Sequence, residues 1–146
     1  MKKNLEKWLQ EGRLVRHKPS YDEIKALQNI VKRDIADSDL KQLSVDRRYA
    51  TLYNAALQLA TIALYVSGWR VKPGAAHHWI TFSSLSGILG ENGAVHGDYF
   101  NLCRSKRNET DYDLAGAISE AEFHELVNEV KAFRITVDAL VKAHSL

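Results

Sequence analysis

The chain has 146 residues, 45% of them hydrophobic and 26% charged, which is enough to bury one core and excludes a disordered chain. Its formal net charge of +2 does not announce a nucleic-acid binder by composition, so such a claim has to come from where the basic residues cluster. A single cysteine, Cys103, rules out an internal disulfide, and the opening residues lack the apolar run of a secretory signal, so a cytoplasmic protein is expected.

A short helix is expected over residues 5–10, closed at Gly12. The basic stretch 13–18 reads as a solvated segment leading to Pro19; counterion release against a nucleic-acid backbone is its functional alternative. Ser20 and Glu23 stand at capping-box spacing, and Ile24, Leu27, Val31 and Ile35 follow as one stripe of a helix running to about residue 36. Asp34 lies at the edge of that stripe. A third helix, 45–67 with Gly68 as its stop, is apolar around most of its circumference and should be the central one. Its longest apolar run is too short to span a bilayer of ~30 Å, so no membrane partner is expected. Arg47, Thr51, Asn54, Gln58 and Thr61 form its one polar stripe.

After Pro73 and Gly74, a fourth helix is expected over 77–89, ended by Gly90, and a fifth over 95–113. The last helix opens at the capping box Ser119/Glu122 and carries a long apolar stripe from Phe123 to Val141, interrupted by Arg134. No run alternates apolar and polar residues long enough to argue for a sheet. The expected architecture is all-α, an up-and-down four-helix bundle with one or two additional short helices, folding as one domain over 1–146.

The densest polar cluster lies in the fifth helix. At 100° per residue, Arg104, Arg107, Asn108 and Asp111 fall within one arc of about 100°, with Tyr112 on its margin. Two guanidiniums on one face offer forked donors matched to phosphate oxygens, and an amide between them can fix a sugar or base edge. The alternative is an ordinary Arg107–Asp111 ion pair on a wet face, worth a few tenths of a kcal/mol.

Arg107-Asn108-Glu109-Thr110-Asp111 resembles the hallmark of the HEPN domains, an arginine and a polar residue followed at a few positions by a histidine. The resemblance extends to the Arg48–Leu57 helix segment, the Ser67-Gly68-Trp69-Arg70 turn, the His77-His78 pair and the stretch from Lys106 to Asp113. It implies a helical bundle related to toxin–antitoxin and defence systems, which dimerises and acts on RNA without metal or other cofactor. It also implies partners such as an antitoxin or a nucleotidyltransferase. By the resemblance, Arg107, Asn108 and Tyr112 take the catalytic positions, while Arg104, Arg47, Asn54, Asp34 and Asp111 are candidates for ligand binding. Tyr112 stands where competent members carry histidine. A phenol that titrates near pH 10 is a poor base at neutral pH, so binding survives this change more easily than cleavage. The alternative is an inactive HEPN-like interaction or scaffold module acting through a partner protein.

Other residues have quieter readings. His77 and His78 diverge by about 100° on a helix and cannot grip one metal in the i,i+4 manner, so packing or a hydrogen bond is expected of them. Cys103 reads as core. Asp34 and Arg134 each need a partner or a wet cavity, and a functional role for Asp34 would be to orient Arg107 or Arg47. Trp8 and Trp69 read as packing residues.

Overall fold

Along the chain run α1 (Lys2–Gln10), β1 (Leu14–Arg16), α2 (Tyr21–Ser38), α3 (Val45–Val66), β2 (Trp69–Val71), α4 (His77–Ser83), α5 (Leu85–Leu89), α6 (Glu91–Tyr112) and α7 (Glu120–Ala143). The computed structural model describes residues 2–112 and 116–145, with backbone alone for residues 2, 3 and 109–112. α3 is the axis. Tyr49, Leu52, Tyr53, Ala56, Leu59, Ala60 and Ala63 are all buried on it, and α2, α6 and α7 pack against it. Alanines at Ala56, Ala60 and Ala63 keep the neighbouring helices close, while each buried leucine contributes about 2 kcal/mol of apolar transfer.

The four long helices alternate in direction. Asn54 of α3 meets Asp34 near the end of α2, whereas Tyr65 at the far end of α3 meets His17 just before α2 begins. Lys106 near the end of α6 meets Glu122 near the start of α7, and His96 lies further along, beside Glu129 and Phe133. The result is the helical bundle expected from the stripes. No helix among the described residues is long and apolar enough to cross a membrane.

Serines start three of the long helices. Ser20, Ser44 and Ser119 accept from the backbone N–H groups of Glu23, Arg47 and Glu122. Ser119 and Glu122 complete the reciprocal box, but Glu23 does not: its carboxylate instead holds His17 Nε2 at 2.6 Å. The imidazole takes the carboxylate in place of one more backbone amide.

The basic stretch keeps Arg13, Arg16 and Lys18 exposed, as expected, but it is a strand and not a tail. β1 pairs antiparallel with β2, Leu14 opposite Val71 and Arg16 opposite Trp69, and the Arg16 guanidinium lies 3.9 Å from the Trp69 ring centre. Leu14 is wholly buried beside Leu5, Trp8, Leu64, Val71 and Ile80 in a second small core. This two-stranded sheet departs from the purely helical expectation, and strands of three residues are too short to show alternation.

The helix expected over 77–89 is broken at Ser84, where α4 gives way to α5. Thr81 and Ser84 hydroxyls donate back to the carbonyls of His77 and Ile80, a contact that bends helices, so the bundle gains one more short helix than expected. α6 begins at Glu91, earlier than the apolar pattern predicts. Gly93 and Gly97 give its first turns no apolar marker, yet they let α6 lie directly on the backbone of α4 and α5: a Cβ on Gly97 would fall 2.4 Å from the Phe82 carbonyl oxygen.

Candidate functional site

The close seat of α4 on α6 brings the polar face of α6 against the turn that precedes α4. Arg104, Arg107 and Asn108 line one cleft of about 520 Å³ with His77, His78 and Trp79. The 100° spacing of the α6 residues explains their shared face, but the histidines arrive by another route. Pro73 and Gly74 end the segment after β2, and Ala76 adopts a left-handed backbone (φ 64°) immediately before α4. A non-glycine residue in that region is strained, and here the strain sits where the chain turns to present His77 and His78.

His78 makes the hydrogen bond expected of it and also lines the cleft. Its Nδ1 lies 2.9 Å from Tyr53 Oη, and Tyr53 is buried in α3. Burial pushes the Tyr53 phenol well above its ordinary range, so it stays protonated, and the Arg107 guanidinium lies 5.7 Å from the centre of its ring. Tyr53 thus ties the imidazole to the arginine. Burial lowers the His78 pKa, and His77, Arg107 and Arg104 lower it further, so the ring is neutral at pH 7 with Nε2 as its remaining polar atom. Only the adjacent pair of histidines hinted at this in the sequence.

A second cavity of about 270 Å³ shares His78 and Arg107 with the first and is lined also by Asp34, Thr51, Tyr53 and Asn54. Thr51 and Asn54, two of the five residues in the polar stripe of α3, therefore face a cleft. Asp34 is 4% exposed, and its carboxylate accepts from Asn54 Nδ2 at 2.6 Å and from Arg33 Nε at 3.0 Å. The predicted role of orienting an arginine is met differently: Asp34 fixes Asn54, and both border the cavity that Arg107 also lines. Arg47 is exposed in the first turn of α3, outside both cavities. The side chains of Asp111 and Tyr112 lie outside the described residues.

Asp34→Ala should cost about 2 kcal/mol of stability, because the half-buried Asn54 amide and Arg33 lose their acceptor, whereas Asp34→Asn should keep most of it. Urea midpoints of the two variants check this; equal midpoints would show the carboxylate to be idle.

Stability should also fall in mild acid. His77, His78 and His96 all have pKa values lowered chiefly by burial, while in the unfolded chain they titrate near 6.5. Above the unfolded value neither state binds these protons. Below it the unfolded chain binds more, so stability present at pH 7.5 drains away as the pH falls through 6.5 toward the lower folded values. Urea midpoints at pH 7.5 and 5.5 measure the loss, and His78→Gln should flatten the slope.

Among the described residues no group of three or more histidine, cysteine, aspartate or glutamate side chains is placed to hold a metal ion. The chemistry on offer is that of two guanidiniums, an amide and two imidazoles around one cleft. Comparison with protein-family models, with curated proteins and with solved structures returns no match, so the residues themselves carry the functional argument.

Proposed function

We propose that the chain is a HEPN-like protein that binds RNA or another phosphate-bearing nucleotide in the cleft between α4 and α6. The observation that carries this reading is the convergence of Arg104, Arg107 and Asn108 with His78 on one cleft. Guanidiniums bind phosphate oxygens through two parallel N–H donors, and Asn108 can both donate and accept toward a ribose. His78 supplies this cleft with an imidazole, the group that the motif lacks at Tyr112.

On this reading His78 takes the ribose 2′-hydroxyl proton at Nε2 while Nδ1–H donates to Tyr53 Oη. The 2′-oxygen attacks phosphorus and the bond to the 5′-oxygen breaks, leaving a 2′,3′-cyclic phosphate and a 5′-hydroxyl. Arg107 stabilises the charge gathering on the phosphoryl oxygens, and Tyr112, assigned on the motif alone, donates to the leaving oxygen. A role in a toxin–antitoxin or defence system is what the resemblance adds to such an activity.

The test is an RNA-degradation assay in chelator with wild type, His78→Ala and Tyr112→His. Wild type should cleave, and His78→Ala should be slower by about 10²-fold or more. If wild type is inert and Tyr112→His gains activity, the site has lapsed. If neither cleaves but RNA still binds, the cleft binds without catalysis; if neither cleaves nor binds RNA, the chain is an interaction module.

That second reading has its own support. Val95 and Leu102 of α6 are 66% and 69% exposed and stand seven residues apart, so they share one outward stripe. Such a stripe suits association with a second copy of the chain, and a homodimer would set two clefts in one assembly.

A further inference from the structure

The cleft ends at Trp79 and Arg104, and a larger cavity of about 630 Å³ begins at the same two residues. Its size falls within the range of small-molecule sites. Its walls differ from those of the cleft. Trp79 is 42% exposed, braced by an edge-to-face contact with buried Trp8 at 5.7 Å. Phe82 and Gly97 also line it, and Asp98 adds a carboxylate that disfavours a second phosphate.

Two polar atoms in this wall lack partners. Asn101 Nδ2 donates to Ser83 Oγ at 3.2 Å, which orients the amide and leaves Oδ1 buried without a hydrogen bond among the described residues. Arg104 Nε is buried and unpartnered in the same sense. Residues 101 and 104 are one helical turn apart, so an acceptor and a donor stand side by side next to an exposed indole. Leaving both unmet is costly, and the side chains that carry them are only half-buried.

We infer that this cavity is a nucleobase subsite. The base stacks on Trp79, an N–H on its edge donates to Asn101 Oδ1, and a neighbouring ring nitrogen or carbonyl oxygen accepts from Arg104 Nε. Nucleobases combine a flat π-face with adjacent donors and acceptors, whereas an aliphatic side chain or acyl chain supplies neither edge. Arg104 borders both cavities, so base and phosphate sit on either side of one residue, as they do in a nucleotide. The inference rests on the neighbouring cleft holding the phosphate.

Calorimetric titration of the full chain with the four nucleoside 5′-monophosphates, with ribose 5-phosphate and with adenosine separates the two claims. At least one nucleotide should bind about tenfold or more tightly than ribose 5-phosphate and quench tryptophan fluorescence. Asn101→Leu should erase that preference while leaving the affinity for ribose 5-phosphate unchanged, and Trp79→Ala should, independently, erase the preference as well. Arg107→Ala should weaken both ligands.

If ribose 5-phosphate binds as tightly as every nucleotide, the base subsite is overturned and the phosphate cleft stands. If adenosine binds as well as its monophosphate, and loses that binding in Trp79→Ala, the base subsite stands and the phosphate reading falls. Binding of none overturns both. A dimer that dissociates on Trp79→Ala, with no base preference in either form, would assign the surface to a second copy of the chain instead.

Discussion

Arg107→Ala is expected to weaken binding of a single-stranded RNA about tenfold or more and to lower the salt dependence of binding by about 0.7 units, the signature of one lost phosphate contact. The reason lies in its position. Arg107 borders both the cleft and the smaller cavity, beside His78 in each. Arg107→Lys should restore the salt slope but not the full affinity, since an ammonium keeps the charge and loses the fork. Arg16→Ala is the control, because that guanidinium is spent on Trp69 in the two-stranded sheet, remote in sequence from α6. Fluorescence anisotropy at several salt concentrations gives both quantities. An unchanged affinity in Arg107→Ala together with a loss in Arg16→Ala would move the binding surface to the basic segment and end the cleft proposal.

Long apolar stripes made the bundle legible. In α2, α3 and α7 the 3.6-residue repeat persists over several turns, and serine caps mark where each begins. The sheet was hidden because its strands are three residues long and separated by the whole of α2 and α3, so that only the fold reveals the pairing. The break at Ser84 was hidden because hydroxyls that bend a helix leave the apolar period intact.

The site divided along the same line. Arg104, Arg107 and Asn108 share a face by arithmetic within one helix, and Asn54 falls in the polar stripe of α3 by the same arithmetic, but only the structure shows Asp34 bonded to it. Arg47 belongs to that stripe too, but at the first turn of α3 it extends into solvent. His78, Trp79 and Asn101 depend on how α4 meets α6 and on the left-handed turn at Ala76, which no periodicity encodes.

The contact between α4 or α5 and α6 is where a small change should do most damage. Gly93→Ala is expected to destabilise the protein by about 3 kcal/mol, a fall in melting temperature of roughly 10 °C. A Cβ on Gly93 would lie 2.0 Å from the Leu85 carbonyl oxygen and 2.9 Å from Leu89 Cβ, so α5 and α6 must separate. No flexible side chain stands there to yield. Gly97→Ala acts one turn further along, against the Phe82 carbonyl, on the helix that carries His78. Its effect should therefore reach the cleft: moving α4 away from α6 separates His78 and Trp79 from Arg104 and Arg107, so RNA affinity should fall even at temperatures where the variant remains folded. Gly116→Ala is the comparison, since a Cβ there meets nothing within 4 Å and only its positive φ adds strain. Scanning calorimetry and anisotropy on the three variants separate the effects. A Gly97→Ala protein of reduced stability but normal RNA affinity would show that the cleft does not depend on the seating of α4, and with it the assignment of His78 to the site would fail.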